Sequence, residues 1–270
     1  VPVITNTTLY SQRLPLYSLL AIVPGLAAML AGFVALGGTP VLTTAWLPIG
    51  GSLVLTGFVL AAINLAMTLW RARPLPLPAD FVAFSLVFLL LTGLIGVGFA
   101  LAFALPRPPA FLLALAGRGL SLHIAVGLGG WFTLTVMGVS YRLLSMFMLA
   151  PDEPRRSTHA ALALTVGGLS LLVASALVGL WSGIALGWVE ALGATLAGIG
   201  VVFYLTDIVE FYRSRKRRQL ELNSVTAAVA LTLVTLALVF AALAMVWGVL
   251  GHFAGAIGYL FVFGGLSGLG

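Results

Sequence analysis

No cysteine occurs in the 270 residues. Disulfides, thiolate metal sites and cysteine nucleophiles are therefore excluded. Charge is also scarce: Asp, Glu, Lys and Arg make up 7% of the chain, against about 25% in soluble domains. The single lysine, Lys216, lies outside every apolar run, which excludes a Schiff base inside a membrane. Histidine occurs three times, at 123, 159 and 252. The sequence holds no glycine-rich phosphate loop and no serine, histidine and acid set of a hydrolase.

What fills the chain instead is apolar. Hydrophobic residues make up 61%, and the mean hydropathy is +1.17. These values define an integral membrane protein whose building unit is a span of about 20 apolar residues. Eight such segments can be drawn, at approximately 14–36, 48–70, 81–105, 119–143, 159–181, 184–207, 224–249 and 253–270. The last is short for a span. Uniform apolar runs, without the alternation of barrel strands, require helices. The expected fold is thus all-α, with about eight transmembrane helices in a single domain over 1–270. The stretch "VPVITNTTLYSQR" lacks the pattern of a cleaved signal peptide, so the first span is expected to act as the targeting signal.

The net charge of +6 is not a nucleic-acid signal. Its densest part, "RSRKRR" at 213–218, directly follows an apolar segment, as a cytoplasmic anchor on anionic lipid would. With the N-terminus inside, eleven basic residues fall on the inner side: Arg13, Arg71, Arg73, Arg142, Arg155, Arg156, Arg213, Arg215, Lys216, Arg217 and Arg218. Only two, Arg107 and Arg118, fall outside. This bias predicts cytoplasmic termini in a bacterial inner membrane. His123 and His252 then both lie near the outer face, and His159 lies at the inner one.

Two histidine stretches are alike. "HIAVGLGGWF" at 123–132 and "HFAGAIGYLF" at 252–261 share His, Ala, Gly and Phe at the same four offsets, 129 residues apart. Each closes a group of four predicted helices, which points to two halves, 14–149 and 159–270. His123, Gly127 and Gly130 fall on one helix face, as do His252, Ala256 and Tyr259. A nitrogen ligand above small residues leaves room for a flat macrocycle, and two such faces make a bis-histidine haem site. Arg118, one turn outward, suits the haem propionates. The plain alternatives are that the small residues are the packing glue of membrane helices and that the histidines are interfacial. His159, beside "DEPRRST", reads as a solvated helix end.

The residues around His123 resemble the catalytic-subunit family of haem-copper oxidases, especially the C-type branch, and the related NnrS-type membrane proteins. That family carries His-x-His, then Gly-x-x-Gly-Trp or a close variant, then Gly-x-x-Tyr before Pro-Arg. The matching residues here are Ser121, Leu122 and His123, then Gly129, Gly130 and Trp131, then Gly138 and Tyr141, with the proline position near Ser145. The resemblance covers one helix. It implies that His123 is a low-spin haem ligand, while Ser121 replaces the high-spin ligand. An oxidase of that family needs about six histidines, and three are present. The resemblance therefore implies at most one haem b and no oxygen reduction. His252 as the second ligand comes from the repeat, not from the family.

Other polar residues are few. Glu190, several residues inside the sixth segment, is by default a functional candidate; a protonated acid bonded to a neighbouring helix is the alternative. Asn64 is expected to bond helix to helix. Asp207 and Glu210 read as ion-pair partners at the inner surface. The leading expectation is a haem-binding membrane protein for electron transfer, haem sensing or haem handling, with copper as the alternative metal. The bilayer is its surroundings, and membrane subunits or an electron-transfer protein are its candidate partners. The competing expectation is a small-solute or ion transporter with Glu190 as coupling residue.

Overall fold

The computed structural model describes residues 1–38, 43–151 and 155–216. Among these residues it is all-helical, with no strand. Six helices are long and apolar enough to cross a membrane, and they match the first six predicted segments. The segments at 224–249 and 253–270, and with them His252, lie outside the described residues. A short α1 (Pro2–Thr5) precedes α2 (Leu14–Leu36), α3 (Trp46–Arg71) and α4 (Leu77–Ala104). A nine-residue α5 (Ala110–Arg118) follows. The fourth span is one continuous run of three parts: α6 (Leu120–Ile124), a π-helical segment (Ala125–Phe132) and α7 (Thr133–Met148). Then come α8 (Arg156–Ser182) and α9 (Gly187–Arg213).

The chain divides into two compact units. The first comprises Val1–Gly138 and Ala176–Ala185; the second comprises Val139–Ser175 and the described residues from Leu186 onward.

In the first unit, α2 and α3 meet through small residues. A Cβ at Gly25 would lie 2.9 Å from the Gly50 carbonyl, and one at Gly50 would lie 2.6 Å from the Met29 nitrogen. Lipid supplies no hydrophobic drive between helices, so such close approach gains its energy from dispersion. Ser18 adds a hydrogen bond to the Gly57 carbonyl at 2.8 Å. Asn64 does not link two helices. Its side chain accepts from the Ser11 N–H at 2.9 Å and donates to the Ser11 carbonyl at 3.0 Å, which ties the segment before α2 onto α3. A carboxamide has one donor side and one acceptor side, so it satisfies both groups of a non-helical residue.

The fourth span and α4 are antiparallel neighbours. His123 faces Gly96, Gly127 faces Thr92, Gly130 faces Phe88, and Gly138 faces Phe81 and the Pro78 carbonyl. Each step toward the C-terminus of one helix is a step toward the N-terminus of the other. Within the second unit, α8 and α9 pack likewise. Gly168 lies against the Gly193 carbonyl, and Gly200 lies against Thr165 and Ala161.

Candidate functional site

His123 is the fourth residue of its span, half-buried, and its backbone N–H donates to the Gly119 carbonyl at 3.0 Å. The ring meets Phe99 edge to face, with centroids 5.7 Å apart and planes at 72°. The ring also lies against Gly96, where a Cβ would be in ordinary contact with Cε1 at 3.5 Å. Among the described residues, the buried Nδ1 has no hydrogen-bond partner. Such a nitrogen costs about 1–3 kcal/mol against a bonded one.

One residue after His123, past Ile124, the helix widens into the π segment Ala125–Phe132. Short π stretches recur at functional sites. The segment carries glycines at 127, 129 and 130. Thr133 Oγ1 caps the Leu128 carbonyl five residues back, at 2.7 Å. The face expected to hold a macrocycle is filled by protein. Gly127 and Gly130 do lie on the same side as His123, but the Phe88 ring sits where a Gly130 Cβ would be, and Thr92 closes on Gly127 at 3.3 Å. The donor atom suits a metal ion or an axial haem ligand, but the glycine edge is taken up by helix packing and leaves no room for a macrocycle on that face. Arg118 ends α5 and is separated from α6 by Gly119. It is exposed, and its charge complements the carbonyl end of its own helix.

The remaining candidates separate. His159 is exposed near the start of α8, as a solvated helix end should be. Glu190 is not deep in a helix: α9 begins at Gly187, so this half-buried carboxylate stands in the first turn, where the helix dipole favours it. Glu210 lies 4.0 Å from Arg155, both partly exposed, as an interfacial pair.

Asp207 differs from the ion-pair expectation. It is 2% exposed, and no basic group lies within salt-bridge distance of it among the described residues. Three hydroxyls surround it instead. Tyr141 donates to Oδ2 at 2.8 Å and Thr158 to the same oxygen at 2.9 Å, while Ser157 donates to Oδ1 at 2.5 Å. Beside them, Tyr204 and Ser140 share a hydrogen bond of 2.7 Å, and the Tyr141 and Tyr204 rings pack edge to face at 5.3 Å. One signal for this cage is readable: Tyr204, Asp207 and Phe211 share a helix face that excludes Glu210, and all three are buried. Its partners on α7 and α8 lie 49 to 66 residues away and carry no local mark.

The fold and composition define a multi-pass α-helical membrane protein. No family model, curated protein or solved structure matches the chain.

Proposed function

We propose that this membrane protein binds one haem b through His123, with His252 as second axial ligand, for electron transfer or for haem sensing and handling. The observation that carries the reading is the buried Nδ1 of His123, which has no hydrogen-bond partner among the described residues. An imidazole in a span needs a partner, and iron is the one its family resemblance implies. The bound haem would supply reversible one-electron chemistry. The chain's own part is to present the imidazole and to keep the Phe99 edge against it. Copper held by two imidazoles is the second metal compatible with the same nitrogen.

Purification after expression with ample haem, followed by an absorption spectrum and metal analysis, tests this. A Soret band with iron is expected. His123→Ala and His252→Ala should each abolish the low-spin spectrum, and His159→Ala should leave it intact. Copper without a Soret band would select the second metal. A colourless protein holding neither metal would end the reading. The inferred orientation, with both termini cytoplasmic in a bacterial inner membrane, is checked with reporters after Gly270 and between α2 and α3. The first should be active only inside and the second only outside.

A further inference from the structure

The haem reading leaves Asp207 without a task. A carboxylate in a membrane span is costly, and those that persist mark proton or ion paths. Among the described residues, the donors around this one are all hydroxyls. That choice matters chemically. A backbone N–H or a guanidinium only donates, so a cage built of them serves a charged carboxylate alone. A hydroxyl has one donor and two acceptor lone pairs and can rotate. It can donate to the carboxylate or accept from the acid.

We propose that Asp207 is a proton-exchange site, with Ser157 as the member of its cage that meets the surface. Uptake adds one proton to a carboxylate oxygen. The new O–H then donates to one of the hydroxyls, which turns from donor to acceptor. Release reverses both changes, and no other bond forms or breaks. Ser157 is half-buried, the second residue of α8 and adjacent to the exposed Arg156. Thr158 also accepts from the Arg155 N–H at 3.3 Å, which anchors the cage at the start of α8.

The titratable and charged groups around the site, among the described residues, are few. Tyr141 on α7 donates to the carboxylate, and Tyr204 on α9 packs against Tyr141. At the rim, Arg155 and Glu210 pair with each other, and Arg155 stands 5.7 Å from the Phe211 ring centre. Arg142, next to Tyr141, has interactions of its own. His159, Arg156 and Arg213 are exposed.

Dicyclohexylcarbodiimide tests the proposal on the full wild-type chain in lipid. The reagent adds the O–H of a protonated acid across its C=N bond, and the acyl group then moves to nitrogen as a stable adduct. Peptide mass spectrometry locates it. The adduct is expected on Asp207, increasing several-fold as pH falls, and not on the exposed, paired Glu210. Asp207→Asn, which keeps an acceptor for the cage, should remove it at unchanged helicity. Absence of the adduct at every pH would overturn the proposal, because the carboxylate would then be a fixed charge. A pH-independent adduct would overturn it as well, because the acid would then be permanently protonated. Protection by sodium but not by potassium at fixed pH would also overturn it, in favour of a metal-cation site.

Discussion

His123 and Asp207 are two polar side chains in apolar helices, and the chain treats them oppositely. His123 has its Nδ1 buried with no partner among the described residues, an aromatic edge on one side and a glycine facing it. Asp207 is almost fully buried and accepts three hydrogen bonds from two other helices. The first arrangement stores an unmet need that a ligand can satisfy. The second satisfies its group within the protein and leaves only the proton to exchange. Both side chains bring a polar atom out of contact with solvent; the count and kind of donors separates the two cases.

The largest effect that would break this contrast belongs to Asp207. Asp207→Leu removes the carboxylate to which three hydroxyls donate, two of them, Tyr141 and Thr158, in buried side chains. Hydrogen bonds to a charged group contribute about 1.5–3 kcal/mol, so the loss should be about 3 kcal/mol, read by denaturation in mixed micelles. Asp207→Asn should cost clearly less. Equal losses would mean that the site needs the charge and not the hydrogen bonds.

The glycine seam comes next. Gly130→Ala sets a methyl group into the Phe88 ring, and overpacking of this kind costs about 1–3 kcal/mol. Phe88→Ala should relieve it, so the double variant should be more stable than the sum of the single losses predicts. Strict additivity would mean that α4 does not close this face.

The six described spans were legible because uniform apolar runs leave helix as the only form that satisfies the backbone in lipid. Helix α5 was not, since Pro106, Pro108 and Pro109 read as loop and the helix begins directly after them. In the site, the shared face of His123, Gly127 and Gly130 follows from spacing alone. What fills that face does not, because Phe88 and Thr92 belong to another helix and the register between helices is set by packing. For the same reason Asp207 looked like the partner of a nearby arginine, while Glu210, one turn further on, took that role.

His123→Leu sharpens the comparison by its sign. Removing a buried, unbonded nitrogen removes a cost, so the ligand-free protein should gain about 1 kcal/mol. The haem spectrum should be lost in the same variant. A loss of stability in the ligand-free protein would show that the imidazole has a partner after all, and that its role is structural.

The smallest effect separates the surface carboxylate from the buried one. Glu210→Gln removes a pair at 4.0 Å whose side chains are 47% and 31% exposed. Pairs of this kind contribute about 0–1 kcal/mol and are screened by salt. The expected change is about 0.5 kcal/mol at low ionic strength, fading as salt is raised, with carbodiimide labelling of Asp207 unaltered. Arg155 also stands over Phe211 and its backbone donates to Thr158, so neutralising Glu210 leaves those contacts in place. A salt-independent loss well above 1 kcal/mol would mean that Glu210 holds Arg155 as part of the Asp207 cage. The rim and the buried site would then be one network, and the distinction between a solvated ion pair and a hydroxyl-bound carboxylate would fail at this end of α9.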